Sequence, residues 1–528
     1  MHVPASPAGS QSATATRSTA SDSALTRTIL AATLVAALLR LFRLGHQSLW
    51  IDEQFTLVAA GLPGHVVWRD LLDNVHGPLH TLAVALSALL FGDAEWVVRL
   101  PSALAGIALV PAMAWLARVW TGRDTVAPAV WLTAGSPFLV WYSQECRNYA
   151  FLLLGATLAT AALFELARHC GRRAVLRYLL AAAAATLSNL SFALLLPLHA
   201  WRWLMPGPTR RARLVSAAVV GAGLLLLVSP WLPAMGRIWD WSRLAPGREV
   251  PAAEAGLRGP HTMHPAAVPF ALHAFAMGYS GGPSLRELRR SPEGAVRAHF
   301  AELALAGLVF SLLGALGLRA VARRRLLADT CLWLVAPALA VSYFAANNFK
   351  VFHPRYIVVS LPCCLLVVAA AFADLGPRAR RVLAGVVAVL WAVALARMAF
   401  EPKYGREDYR TAMSKVRASM AAGERVLAVG APEPVEWYGR GLTVARWWLG
   451  VAGRPERMQQ TLTESLAAVP GTWVVLSRAE DDDPEGRCAS WLDARTPAAR
   501  RWSANGVQVW HVMRADVVAA GDPQQSPN

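Results

Sequence analysis

Charge is what this chain has least of. Only 16% of its 528 residues are charged, where a soluble domain carries about 25%. Together with 55% hydrophobic residues, that shortage excludes an ordinary water-soluble enzyme. Metal-ligating cysteine patterns are missing as well. The six cysteines form no CxxC and no Cys/His spacing, and Cys146, Cys170, Cys331, Cys363 and Cys364 fall in or beside apolar segments, where they read as small buried apolar residues. Neither a GxGxxG fingerprint nor a Walker-type loop is present, which argues against nucleotide chemistry. The first apolar run ends in Arg40 and Arg43 where a cleaved signal would have small residues. Acidic residues are scarce, 34 against 51 basic ones for a net charge of +17. The arginines lie in short clusters between apolar runs, the pattern of cytoplasmic loops facing anionic headgroups, so nucleic acid is not the expected partner.

What is there is a series of apolar runs, each long enough to cross a hydrocarbon core of about 30 Å. After the first run, internal spans are expected at about 99–117, 125–142, 148–167, 175–188, 190–204, 214–232, 300–318, 329–345, 356–374 and 382–399. Arg118/Arg123, Arg172/Arg173/Arg177, Arg210/Arg211/Arg213, Arg319/Arg323/Arg324/Arg325 and Arg378/Arg380/Arg381 separate alternate spans and mark one side as cytoplasmic. Two shorter apolar pieces, 77–91 and 266–278, are expected to lie at the interface or re-enter; about 1.5 Å of rise per residue leaves them short of a full crossing. The count is then eleven spans, N-terminus inside and C-terminus outside.

Residues 1–26, rich in Ser, Ala and Thr, read as a disordered cytoplasmic tail and 27–400 as the transmembrane domain, with a first outer loop over 45–98. Beyond 400 the pattern changes. A helical stretch opens near Glu407–Arg410, and strands are expected at 425–429, 472–476 and 507–512. About 118 residues (401–518) suffice for a small α/β domain outside the membrane. Residues 519–528 read as a disordered tail.

The chain is organised around Ser48-Leu49-Trp50-Ile51-Asp52-Glu53-Gln54-Phe55-Thr56. Two adjacent carboxylates beside aromatic residues at a membrane edge are costly unless something uses them. The bland alternative is a pair of solvated or helix-capping charges. Further motifs follow in order: His76-Gly77-Pro78-Leu79-His80, Phe91-Gly92-Asp93, Arg99-Leu100-Pro101-Ser102, Ser136-Pro137 through Arg147-Asn148-Tyr149, and Pro354-Arg355-Tyr356 ahead of Leu361-Pro362. In order and spacing this resembles the superfamily of protein O-mannosyltransferases and aminoarabinose transferases, membrane glycosyltransferases of the GT-C fold. The likeness covers about residues 30–400 and continues more loosely through Lys403–Arg410. Gly77 stands where the family usually has proline, which predicts a looser turn.

The resemblance implies a polyprenyl-phosphate sugar donor and transfer on the non-cytoplasmic face of, here, a bacterial inner membrane. Such a reaction needs one carboxylate to accept the acceptor's proton and cations to stabilise the leaving phosphate; it requires no metal or other cofactor, and although His76, His80 and Asp52 could bind a divalent metal, their spacing is not diagnostic of one. Asp52 matches the family's loop aspartate and is the expected general base, with Glu53 second, since adjacent helical side chains point about 100° apart. The expected substrate-binding set is His80, Arg99, Glu145, Arg147, Tyr149, Lys350, Arg355 and Tyr356. Glu145 and Arg147 read equally well as a structural pair, and His80 as a structural hydrogen-bonder. Arg355, beside Lys350 and His353, is the favoured phosphate ligand, because a planar guanidinium suits bidentate phosphate recognition. Residues 278–290 read as a Gly-rich turn into a helix with a Ser284–Glu287 capping box, a candidate lid over the site. Partners are the lipid-linked donor, membrane lipids and an acceptor hydroxyl or amine of unspecified chemistry. The competing readings are a lipid-linked sugar flippase and an oligosaccharide transferase.

Overall fold

A computed structural model describes residues 9–62, 77–168, 171–206, 210–233, 262–447, 455–479 and 485–518, with the isolated positions 236, 244 and 483. His76 and Cys170, singled out above, and the tail 519–528 lie outside the described residues. The protein is a multi-pass helical bundle joined to a small C-terminal α/β domain. Among the described residues eight helices are long and apolar enough to cross a membrane: Asp22–Leu41, Glu95–Trp120, Tyr149–Arg168, Arg210–Trp231, Phe300–Arg323, Leu327–Ala346, Pro354–Asp374 and Pro377–Phe400.

Three of the eleven expected spans fall outside these eight, two of them broken for a local reason. The run 125–142 divides at Ser136-Pro137, where Val126–Gly135 ends. Ser136 Oγ then caps Pro137–Ser143 by accepting the Leu139 N–H at 3.4 Å, with proline at the first position, where its missing N–H costs nothing. The run 190–204 opens as a 3₁₀ turn, Leu190–Leu195, started by the Asn189 side chain on the Ser191 N–H (2.9 Å), and becomes α-helix only over Leu196–Leu204. The run 175–188 lies in a 17-residue helix, Arg172–Ser188. At the N-terminus the first helix covers Gly9–Leu41, so it starts inside the stretch expected as an unfolded tail.

The short apolar pieces form helices Pro78–Phe91 and Ala267–Met277, of 14 and 11 residues. The turn before the first is not loose. A Cβ on Gly77 would stand 2.2 Å from the Leu187 carbonyl oxygen, so the position is closed to any larger residue, proline included. The most enclosed long helices are Glu95–Trp120, Tyr149–Arg168 and Pro354–Asp374, whereas Arg210–Trp231 is exposed for most of its length, as a lipid-facing helix is. At the bundle end away from Arg99, Arg324 donates to Asp124 (2.6 Å) and Asp374 (2.9 Å), gathering three arginine-rich turns. The Asp52 loop and the C-terminal domain share the other end.

That domain has a five-stranded sheet in the order β2-β1-β3-β5-β4: β1 Arg425–Val429, β2 Val444–Trp447, β3 Gly471–Ser477, β4 Arg501–Ala504 and β5 Val507–Met513. β2, β1 and β3 are parallel and β5 and β4 antiparallel, with Val426 opposite Trp473 and Val474 opposite Trp510. The three expected strands are the central ones, and β3 is buried along its whole length. The unforeseen β2 and β4 are four-residue edges with partly exposed residues, too short to carry a period-2 signal. Pro455–Ala467 and Arg487–Arg495 cover one face of the sheet; Tyr409–Ser419 and Pro432–Tyr438 cover the other. Into this second core inserts a residue of the membrane domain, Ile51.

Candidate active site

Helix Ile51–Ala59 starts immediately after Trp50, and its first three residues face three ways. Ile51 packs into the C-terminal domain among Ala428, Ala431, Val435 and Val475. Glu53 turns into the membrane bundle and is fully buried. Asp52 lies between them, its side chain 17% exposed against 0% for Glu53. That difference separates the two carboxylates' roles.

Glu53 is consumed by structure. Its Oε1 accepts from Arg99 Nε (2.7 Å) and the Cys146 N–H (2.8 Å); its Oε2 accepts from Arg99 Nη2 (2.7 Å) and, across the first turn, from the Trp50 N–H (3.3 Å). Burial would raise the Glu53 carboxyl, but Arg99 and Arg406 hold it below the usual carboxylate range. Arg99 spends its remaining donors on the Leu44, Gln47 and Ser48 carbonyls at 3.2, 2.8 and 3.0 Å. Expected as catalytic and substrate-binding residues, Glu53 and Arg99 instead form a buried bidentate pair that fixes the loop carrying Asp52. His80 is likewise buried. Its Nε2 pairs with Ser102 Oγ (3.0 Å), which donates to the Arg147 carbonyl (3.0 Å), so it supports Arg147 from behind.

Asp52 is ion-paired to Arg355. Arg147 Nη1 donates to the Asp52 carbonyl (2.9 Å) and to Thr56 Oγ1 (3.3 Å). Burial pushes the Asp52 carboxyl up; the charges of Arg355, Arg147 and Arg478 outweigh this and hold it below its ordinary value. Arg355 stands at the start of Pro354–Ser360, where His353 Nδ1 accepts its backbone N–H at 3.2 Å. Its guanidinium lies 5.2 Å from the Tyr356 ring centroid, and Lys350 Nζ lies 4.5 Å from the same ring. Burial lowers the Lys350 ammonium and brings the neighbouring His353 down to about 3. Glu145 is buried and pushed up to about 7 by burial; Arg406 at 3.8 Å only partly compensates it. Tyr149 is buried beside Arg355 and Arg147, in edge contact with Tyr142, whose hydroxyl meets that of Tyr279 at 2.9 Å. Arg147 Nε, Arg355 Nε and Glu145 Oε2 are buried polar atoms without a hydrogen-bond partner among the described residues. Buried donors are rarely left unpaired unless something else satisfies them. Two guanidinium donors beside a partly exposed carboxylate suit an anionic group with a neighbouring hydroxyl or amine.

Sequence reasoning missed the contributions from beyond residue 400. Arg406 reaches within 3.8 Å of both Glu53 and Glu145 and lies 5.1 Å from the Trp141 ring centroid. Tyr438 Oη accepts the Leu49 N–H (2.8 Å) and donates to Glu95 (2.9 Å), which Arg410 also holds. Ser48 Oγ donates to Asp408 at 3.0 Å. The motif Lys403–Arg410 was the one signal available. The Ser284–Glu287 capping box forms as expected (2.7 and 3.2 Å), yet this segment is no free flap. Arg286 bonds Asn505 in the β4–β5 turn and the Gly405 carbonyl, and Lys403 stands 3.6 Å from Glu287. Among the described residues no three of His, Cys, Asp and Glu gather as metal ligands.

Residues 75–233 match the family of dolichyl-phosphate-mannose-protein mannosyltransferases. No curated protein matches the sequence. Among solved structures, ArnT from Cupriavidus metallidurans in the apo state superposes with a TM-score of 0.57 at 14% identity, over 93% of this chain and 99% of that one. The same protein bound to undecaprenyl phosphate gives 0.53 at 16%, over 96% and 100%. The chain has the GT-C fold. The family match over residues 75–233 and the fold both agree with the resemblance drawn from the motifs. The oligosaccharyltransferase of Archaeoglobus fulgidus in its apo form is similar at a TM-score of 0.53 and 13% identity, but only 71% of its length is covered, against 88% of this chain.

Proposed function

We propose that this protein is an inverting glycosyltransferase that moves a single sugar from a polyprenyl-phosphate carrier to an acceptor hydroxyl or amine on the extracytoplasmic face of a bacterial inner membrane. The observation that carries it is the ion pair of partly exposed Asp52 with Arg355, flanked by Arg147. The full-length likeness to ArnT, solved with undecaprenyl phosphate, supports a lipid-phosphate donor.

In this reading the donor phosphate takes over Arg355, with Arg147 and Lys350 adding charge. Losing Arg355 returns basicity to Asp52. The acceptor oxygen or nitrogen then attacks the anomeric carbon and its proton passes to the Asp52 carboxylate. The bond from the anomeric carbon to the phosphate oxygen breaks, and polyprenyl phosphate leaves with the electron pair, stabilised by the arginines. One displacement inverts the anomeric centre. Tyr149 and Tyr356 wall the cationic side, and Glu145, raised toward neutrality, sits behind it.

The test is release of polyprenyl phosphate by protein in lipid nanodiscs, supplied with a panel of polyprenyl-phosphate sugars and crude envelope as acceptor. Turnover that collapses in Asp52→Asn, with unfolding temperature unchanged, supports the assignment. No turnover with any donor would overturn it.

A further inference from the structure

The loop 44–50 that leads into Asp52 is held from both domains, and the two supply different chemistry. A guanidinium only donates hydrogen bonds, so Arg99 of the bundle takes up loop carbonyls, those of Leu44, Gln47 and Ser48. The loop's N–H groups need acceptors instead. The Trp50 N–H uses Glu53. Leu49 is fully buried, and its N–H reaches Tyr438 Oη at 2.8 Å. That hydroxyl donates in turn to Glu95 Oε1 (2.9 Å), which Arg410 Nε also meets at 2.9 Å. Tyr438 is the last residue of helix Pro432–Tyr438, which follows β1 in the C-terminal domain. It packs against both cores at the junction: the domain core that holds Ile51, and the bundle cluster of Leu49, Leu57, Val84 and Val98.

We propose that Tyr438 is a positioning residue for the Asp52 base, the hydroxyl through which the C-terminal domain fixes the loop that aims this carboxylate. Its catalytic weight rests on the reading of Asp52 as general base. Leu49 stands three residues before Asp52 and one before Trp50, the cap of the helix that carries Asp52. Removing the hydroxyl strands the buried Leu49 N–H, which recovers a partner only if the loop moves. The domain's other grips, Arg410 on the Gly45 carbonyl (3.0 Å) and Asp408 on Ser48 Oγ (3.0 Å), act further upstream. Lys350 and Arg355, on the donor-phosphate side, belong to another segment of the bundle. The displacement therefore falls on the base and not on donor binding. A base misplaced by about 1 Å costs up to about 10²-fold in rate.

The experiment compares Tyr438→Phe and Arg440→Ala with the parent chain in nanodiscs, using the polyprenyl-phosphate sugar that the panel selects. Tyr438→Phe keeps the ring's packing and removes only the hydroxyl. It is expected to lower kcat on the order of tenfold to hundredfold, with donor KM unchanged. Arg440 joins the same two domains through Asp93 (2.7 Å), and Arg440→Ala is expected to leave kcat within about twofold of the parent. Unchanged kcat in Tyr438→Phe, or an equal loss in Arg440→Ala, overturns the proposal. A fall in kcat with a similar rise in donor KM marks general disorder of the site and also overturns it. Placement is read apart from turnover by hydrogen exchange. The peptide holding Leu49 is expected to exchange faster in Tyr438→Phe and at the parent's rate in Arg440→Ala. Equal exchange in the parent and Tyr438→Phe strikes Tyr438 alone. A parent chain inactive with every donor strikes the Asp52 reading, and the catalytic role of Tyr438 with it, whatever the exchange shows.

Discussion

Glu53 and Arg99 form a fully buried bidentate pair, 46 residues apart in sequence, with both carboxylate oxygens 2.7 Å from guanidinium nitrogens. Removing one partner leaves an uncompensated buried charge at a cost of about 3–5 kcal/mol. Glu53→Ala is therefore expected to lower the unfolding temperature and loosen the Asp52 loop. Replacing both partners by apolar residues of similar size, Glu53→Leu with Arg99→Met, is expected to recover much of that stability. Thermal unfolding in nanodiscs, run as a double-mutant cycle, measures it.

Asp52→Asn keeps the side chain's shape and removes the base. A loss of about 10²–10⁴ in kcat is expected, with little change in unfolding temperature. A stability loss as large as that of Glu53→Ala would return Asp52 to a structural role.

The pairing of Asp52 with Arg355 gives a pH signature. In the free protein Arg355, Arg147 and Arg478 outweigh burial and hold the carboxyl below its usual value, so the acid limb of kcat/KM should lie low. Bound donor phosphate draws Arg355 off and the carboxyl rises, so the acid limb of kcat should lie at higher pH. The two profiles report the free and substrate-bound protein respectively. Coincident limbs would mean that Arg355 stays on Asp52.

Glu145 carries a stability prediction of the opposite sign. Burial raises its carboxyl from the ordinary 4.5 to about 7, so between those values the folded protein binds more protons than the unfolded chain. Its contribution is present below pH 4.5 and lost as pH rises through 7, up to about 3 kcal/mol. Glu145→Gln should become more stable relative to the parent as pH goes from 5 to 8. Parallel unfolding temperatures for the two proteins across that range would show that Glu145 ionises normally.

Arg355→Lys and Arg355→Gln separate geometry from charge. Lysine keeps a cation but not the two-pronged donor set. The expected order of KM for the donor is parent, then lysine, then glutamine, with glutamine raised about tenfold or more. Equal KM values in all three would place the phosphate elsewhere.

Much of this was legible because it is written locally. Runs of apolar residues announce helices, and alternation and β-branched residues announce β1, β3 and β5. The Ser284–Glu287 capping box is fixed by a spacing of three. The breaks at Ser136-Pro137 and Asn189 were also local, but a hydropathy window averages over one residue's cap. Gly77 was misread because a turn's sequence shows its flexibility and not the Leu187 carbonyl above it.

The sequence by itself determined that the chain is a membrane helical bundle with an α/β domain, and that an Asp-Glu pair follows its first apolar run. The family likeness ranked Asp52 ahead of Glu53 as the base, but nothing local showed that Glu53 is taken up by structure, since adjacent residues share composition and local propensity. Only the tertiary structure decided that Glu53 is enclosed by Arg99 and the Cys146 N–H while Asp52 stays partly exposed and paired with Arg355, and that Arg406 arrives from over 350 residues away to stand beside Glu53. The physical reason is that a carboxylate's role depends on its burial and on which cations reach it, and both are set by packing between segments far apart in the chain.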